Sequence, residues 1–168
     1  VKLLIDFIPD DIKFTQARKT ATGTKIIDLQ DVPLFQSPWT RVMHDIDNYI
    51  CVDCKQFRTV LELIDGLVLD NAIKLFGIGD FGDNESETNY KSLVRGNYMY
   101  LPIPTNIIIF DQNKDYYYKS DLKKIKINSI IRFIFSIQKI YFKDYTISTI
   151  IKLVQIEIMD NDQLKTNE

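Results

Sequence analysis

"QFRTVLELIDGLVLDNAIKLF" (residues 56–76) decides the fold class. Phe57, Val60, Leu61, Ile64, Leu67, Val68, Ala72, Leu75 and Phe76 recur at three- and four-residue intervals. That period puts side chains on one face of an α-helix. Arg58, Glu62, Asp65 and Lys74 lie largely off the stripe. Gly66 costs such a helix about 1 kcal/mol relative to Ala, and the length of the stripe outweighs it. The helix is predicted to end near Gly77. Its acidic polar side and its apolar stripe suit a cap on the core.

The chain around this helix reads as strand. Upstream, "VKLLIDFI" (1–8) leads to Pro9 and two Asp, and "DIKFTQARKT" (11–20) alternates Ile12 and Phe14 with Lys13 and Thr15. "TKIIDLQ" (24–30) follows a turn at Gly23, and "VPLFQS" (32–37), "WTRVM" (39–43) and "NYICVDC" (48–54) follow in turn. Downstream come "YKSLVRG" (90–96), "MYLPIPTNIIIF" (99–110) and "DYYYKS" (115–120), the last two joined as a hairpin by "DQNKD". "INSIIRFIFSIQKIYF" (127–142) and "ISTIIKLVQIEIM" (147–159) read as two long strands around a turn at Lys143–Thr146. Short alternating strands with polar turns between them suggest a barrel or a sandwich. The expectation is one domain over 1–158 and a polar tail over 159–168.

Charge is unevenly placed. The formal net charge is −2, which argues against a uniformly basic protein. From Tyr90 to Lys152, however, eleven Lys and Arg stand against four Asp, a surplus of seven positive charges. The helix and the following loop (56–89) carry two bases against seven acids, and residues 153–168 carry one against four. A near-neutral total thus conceals a basic β half. No apolar run reaches the roughly 18–20 residues of a membrane span, and the first residues are too acidic for a signal peptide. The reading is a soluble, intracellular protein.

Little in the sequence suits catalysis. His44 is the only histidine and has no triad pattern around it. "GIGDFG" (77–82) has the glycines of a phosphate cradle but follows a helix instead of a strand, so it fails the context of that motif. The carboxylates of 79–87 could bind a hard cation but lack the spacing and the final Glu of a calcium loop, and they read better as a solvated loop. Cys51 and Cys54 form a lone CxxC. Half a zinc site without its other half reads better as strand cysteines. No enzyme activity, metal or cofactor is expected.

What remains is aromatics interleaved with bases. Phe14–Arg18–Lys19, Phe35–Trp39–Arg41, Tyr90–Lys91–Arg95–Tyr98–Tyr100 and Tyr116–Tyr117–Tyr118–Lys119 all show it. Rings stack on bases and cations track phosphates in single-strand binding. Each aromatic taken alone could equally be core, and each Lys a solvated edge. The candidate contacts are Arg18, Lys19, Lys25, Phe35, Trp39, Arg41, Lys91, Arg95, Tyr98, Tyr100, Lys123 and Lys126. Pro38 lacks an N–H and is expected at an edge, a bulge or a strand start. If the chain stays extended beyond it, Trp39 and Arg41 share a face. Trp39 would then stack a base beside Arg41. The alternative is that Trp39 packs inward and only Arg41 is exposed.

Three passages carry a resemblance. "IKFTQARKTATGTKIIDLQDVPLFQSPWTRV" (12–42), with Gln36, Ser37, Pro38, Trp39 and Arg41, opens it. "YKSLVRGNYMYLPIPTNIIIFDQNKDYYYK" (90–119), ending its strand at Phe110–Asp111, forms the middle. "INSIIRFIFSIQKIYFKDYTISTIIKLVQIEI" (127–158) closes it with Tyr141–Phe142 and Val154–Gln155–Ile156. In this order they resemble the OB-fold single-stranded DNA-binding proteins of nucleocytoplasmic large DNA viruses, which are related to those of T7-type phages. The resemblance implies an OB-like β-barrel with one long helix. It implies a non-catalytic, sequence-tolerant protein that coats exposed single-stranded DNA in viral replication or recombination. It also implies a polymerase, primase or recombinase as partner, with self-association possible, at the replication site in the host cell. The competing class is a structural virion protein whose aromatic strands make protein–protein contacts.

Overall fold

The computed structural model describes residues 1–79, 88–113, 115–118, 122 and 125–159. The acidic stretch 80–87, Lys119, Lys123 and the tail from Asp160 onward lie outside the described residues. The strands are β1 (Lys2–Leu3), β2 (Lys13–Lys19), β3 (Lys25–Gln30), β4 (Leu34–Gln36), β5 (Thr40–Arg41), β6 (Tyr49–Asp53), β7 (Asn89–Lys91), β8 (Tyr98–Pro102), β9 (Ile108–Asp111), β10 (Tyr116–Tyr117), β11 (Ile130–Lys143) and β12 (Thr146–Ile158). Between β6 and β7 runs the helix α1 (Arg58–Phe76), preceded by a short 3-10 turn at Lys55–Phe57. The expected mainly β class with one long helix is what the chain adopts.

β11 and β12 are the spine. They are dense in β-branched and aromatic residues, which favour the pleated state. They pair antiparallel from Ile131↔Ile158 to Lys143↔Thr146, with irregularities at Ile134/Phe135 and Ile137/Lys139. Their connection is two residues long, and both of them, Asp144 (φ 51°) and Tyr145 (φ 59°), are left-handed. That conformation matches the twist of a tight hairpin. The other edge of β11 takes β3 in its last third, β4 in its middle and β5 at its start. β12 takes β7 and β9, both parallel. β6 and β8 form a separate antiparallel pair.

Two sequence expectations are corrected. "VKLLIDFI" is not one strand. After the two residues of β1 the chain makes a 3-10 turn at Leu4–Asp6, because Leu4 is fully buried there and the Lys2 amine is drawn to Asp11 at 2.8 Å. "MYLPIPTNIIIF" is not one strand either. Pro102 and Pro104 have no N–H to give, and the chain passes from β8, paired to β6, to β9, paired to β12.

The helix lies where its stripe predicts. Leu61, Ile64, Val68, Ala72 and Phe76 are buried, and Phe76 stacks on Phe142 of β11 with ring centroids 5.5 Å apart. Gly77 ends it in the left-handed conformation (φ 69°), which glycine adopts without a Cβ penalty. Asp65 departs from the expectation of an exposed polar side. It is 8% exposed and accepts hydrogen bonds from the Tyr90 hydroxyl (2.5 Å), the Ser92 hydroxyl (2.5 Å) and the Leu93 N–H (3.1 Å). A buried carboxylate is tolerated only when its lone pairs are occupied in this way.

Pro38 stands, as expected, at a break between strands: β4 ends at Gln36 and β5 starts at Thr40. Ser37 bridges the gap. Its N–H reaches the Phe133 carbonyl at 2.8 Å and its hydroxyl accepts from the Phe133 N–H at 3.0 Å.

Candidate nucleic-acid interface

Cross-strand partners point to the same side of a sheet. The register therefore sorts the side chains of five strands into two faces. Lys25, Phe142, Ile147 and Tyr90 are successive partners across β3, β11, β12 and β7. This row faces the helix: Phe142 meets Phe76 and Tyr90 meets Asp65. The next row is Arg18–Ile26–Tyr141–Ser148–Lys91. It faces away from the helix and spans about 19 Å, four strand spacings of roughly 4.8 Å. Two residues to either side along β11, Lys139 and Lys143 share that outer face.

The second sheet adds to this surface. On β8, Met99 and Leu101 are fully buried, so Tyr98 and Tyr100 take the other side. Just before β8, Arg95 and Tyr98 close a tight turn with reciprocal backbone hydrogen bonds of 2.9 and 3.0 Å over Gly96 (φ 64°). The turn brings the Arg95 guanidinium to 5.3 Å from the Tyr100 ring centroid. On β11 the Lys139 amine lies 5.7 Å from the Tyr141 centroid. A groove of about 410 Å³ is lined by Tyr49, Lys91, Arg95, Tyr100, Tyr141 and Lys143, among others. Tyr49 is 56% exposed. Three rings and three cations thus surround one open hollow, with a fourth cation, Lys139, on the ring of Tyr141.

Of the twelve residues expected from the sequence, Lys91, Arg95 and Tyr100 line this groove. Arg18 is on the outer face beyond Tyr141 but is bonded to Asp28 through Nε (2.6 Å) and Nη2 (3.3 Å). Tyr98 is on the side of Tyr100 and packs edge-on against His44 at 5.7 Å. Lys25 turns to the helix instead, its amine 3.4 Å from the Phe76 carbonyl and 5.8 Å from the Phe142 centroid. Lys19, opposite Lys25, is exposed on that same side. Lys126 is exposed in the turn leading to β11. Lys123 lies outside the described residues.

Phe35 requires a correction. It is 1% exposed and packs between Phe7 (5.8 Å) and Phe135 (5.9 Å). β4 lies against the middle of β11, so one of its two faces must be core, and Phe35 takes it while Leu34 is exposed. Tyr90 likewise serves Asp65 and is not a free ring. Burial, with the neighbouring Asp65 charge, raises its hydroxyl pKa far above the ordinary range.

Trp39 is not packed away, and the extended chain expected to carry it onto the face of Arg41 is bent at Trp39 itself. It is half-buried at the bend before β5, and the cation on its ring is Arg132, 4.7 Å from the centroid. Arg132 is in turn bonded to the buried Glu157 at 2.6 Å. Arg41 is exposed on β5. Tyr49, Lys139, Tyr141 and Lys143 were not among the expected contacts. The alternation K-x-Y-x-K at 139–143 carries the signal for three of them.

The two cysteines are buried and free. Burial raises both thiols, Cys54 to about 11 with the help of the Asp53 charge. A thiol so raised is protonated at neutral pH and a poor metal ligand or nucleophile. Among the described residues no group of three His, Cys, Asp or Glu is placed to hold a metal ion. No described helix is long and apolar enough to cross a membrane.

No protein-family model and no curated protein sequence matches the chain. Among solved structures it is similar to the single-stranded DNA-binding protein from bacteriophage Enc34. For a C-terminal truncation of that protein the TM-score is 0.45 at 9% identity, over 89% of this chain and 96% of that one. For its complex with ssDNA the TM-score is 0.44 at 10% identity, over 89% and 97%. For the protein without that truncation the TM-score is 0.39 at 10% identity, over 87% and 89%.

Proposed function

We propose that this protein binds single-stranded DNA without sequence preference, in the groove on the outer face of the sheet. One observation carries the reading. Tyr49, Tyr100 and Tyr141, from three different strands, open onto one hollow with Lys91, Arg95 and Lys143 at its walls. Tyrosine rings offer a π-face to any base, worth about 1–3 kcal/mol per stacked base. Lys and Arg offer charge to a backbone that is the same at every nucleotide. Neither chemistry reads base identity. Duplex DNA hides its base faces, so the rings would have nothing to stack on.

The resemblance to viral single-strand binders supports a finer reading. The protein would be a non-catalytic coat on exposed strands in viral replication or recombination, acting at the replication site in the host cell. A polymerase, primase or recombinase would be its partner. On this reading the barrel is OB-like and residues 1–158 form one domain.

Fluorescence anisotropy with oligo-dT, oligo-rU and a duplex of equal length tests the proposal. Saturable binding to dT that salt weakens, with little affinity for duplex, is expected. Equal affinity for duplex removes the stacking role. No binding to any of the three favours the virion-protein reading, in which the same rings meet protein.

A further inference from the structure

We propose that Asp65 is a positioning residue for the DNA groove, holding Lys91 and Arg95 in place from inside the protein. The inference rests on the single-strand reading above. Its basis is the link between a buried carboxylate on the helix and the short segment that supplies two of the groove's cations.

β7 is three residues long and, among the described residues, is paired to β12 alone. From Ser92 to Val94 the chain belongs to no strand. A short edge strand followed by unpaired chain has few backbone bonds to define its course. Asp65 supplies the missing definition. One carboxylate accepts from Tyr90, from Ser92 and from the Leu93 N–H, three consecutive anchors apart from Lys91 itself. Ser92 Oγ also accepts from the Val94 N–H at 3.0 Å, so the order extends toward Arg95. Because side chains alternate along a strand, pinning Tyr90 toward the helix turns Lys91 to the outer face. At the far end the Arg95–Tyr98 turn fixes Arg95 over Tyr100.

A neutral side chain of the same shape does not replace this. An amide at position 65 keeps one acceptor oxygen, and its NH₂ group would force one of the two hydroxyls to turn from donor to acceptor. The other hydroxyl and the Leu93 N–H would then share that one oxygen, without the charge of the carboxylate. A core could be filled at this point more simply by an apolar residue. The carboxylate makes sense as the one group that can gather three donors from a segment whose outward residues must be placed.

The test is a double-mutant cycle on the whole protein, read by oligo-dT affinity and its salt dependence. Asp65→Asn is combined with Lys91→Ala/Arg95→Ala. If both cations contact phosphate, the Lys91→Ala/Arg95→Ala variant lowers the slope of log K against log salt by about 1.4, at about 0.7 per contact on a single strand. Asp65→Asn, which touches no DNA, is expected to lower the slope by a similar amount and affinity about tenfold per folded molecule. In the triple variant the two effects should not add. Folding is followed by circular dichroism and thermal melting. If Asp65→Asn does not fold, Tyr90→Phe/Ser92→Ala loosens the same tie from the other end and takes its place in the cycle. An unchanged slope, or effects that add in full, overturns the positioning role and leaves the single-strand reading intact. Wild-type protein that does not bind oligo-dT overturns the single-strand reading and the positioning role with it.

Discussion

The Arg132 guanidinium lies 4.7 Å from the centre of the Trp39 ring while its Nε bonds Glu157 at 2.6 Å. Arg132 and Tyr141 are nine residues apart on β11, about 30 Å at roughly 3.3 Å per residue. Trp39 is therefore at the opposite end of the long strand from the groove. A short oligo-dT that fills the groove is expected to leave Trp39 emission unchanged. Arg132→Ala uncovers the ring and leaves the Glu157 carboxylate, 6% exposed, without its partner. It is expected to shift emission to the red and to cost about 1–3 kcal/mol of stability, measured by urea unfolding. Quenching of Trp39 by the short oligomer would extend the DNA site to Pro38 and β5.

Core and site aromatics should separate cleanly. Phe35→Ala removes a ring that is 1% exposed and is expected to cost about 3–5 kcal/mol of stability. Tyr100→Ala and Tyr141→Ala remove half-buried rings at the groove. Each is expected to lower oligo-dT affinity by about 1–3 kcal/mol while the melting temperature changes little. Urea unfolding and anisotropy titration on the same preparations give both readings. A tyrosine variant that loses stability and keeps affinity places that ring in the core.

These two sets of residues show how far the sequence could be read. The helix was legible because its period is local, and the β11–β12 pair because strands of fourteen and thirteen residues, dense in β-branched and aromatic side chains, leave little else possible. The role of a single aromatic was not legible. Phe35 and Tyr90 look like ligand rings beside Trp39 and Lys91, and only the pairing of distant strands turns them inward. The outer row from Arg18 to Lys91 joins residues 18, 26, 141, 148 and 91. No window along the chain contains it. The burial of Asp65 is not legible in the sequence for a related reason. The residue falls near the edge of the stripe, and its donors lie 25–28 residues away.

Cys51 and Cys54 should behave as core groups. Both are buried, and burial holds their thiols protonated, Cys54 with a pKa raised to about 11. The native protein at pH 7 is expected to react slowly with iodoacetamide, and the urea-unfolded protein quickly at both thiols, as counted by intact mass. Zinc is not expected to slow the unfolded-to-native difference or raise the melting temperature. Rapid native alkylation would place a thiolate at the surface.

Arg18 carries a cation on the outer face that is already engaged. Its bonds to Asp28 hold that carboxyl below the usual carboxylate range. The pair's contribution to stability is therefore present above the unfolded value of about 3.9 and is lost as pH falls through the lowered value. Both side chains are about half exposed, 53% and 44%, so solvent screening keeps the contribution small. Its larger effect is expected on binding. Asp28→Asn removes an acid from the face and releases Arg18 toward the phosphates. It should tighten oligo-dT binding severalfold at low salt and steepen the slope of log K against log salt by up to about 0.7, one added contact. Arg18→Ala in the Asp28→Asn background should abolish the gain. Anisotropy titrations at 50 and 200 mM salt check both variants. If Asp28→Asn leaves affinity and slope where they were, the strand does not reach β2 and the site ends at Tyr141.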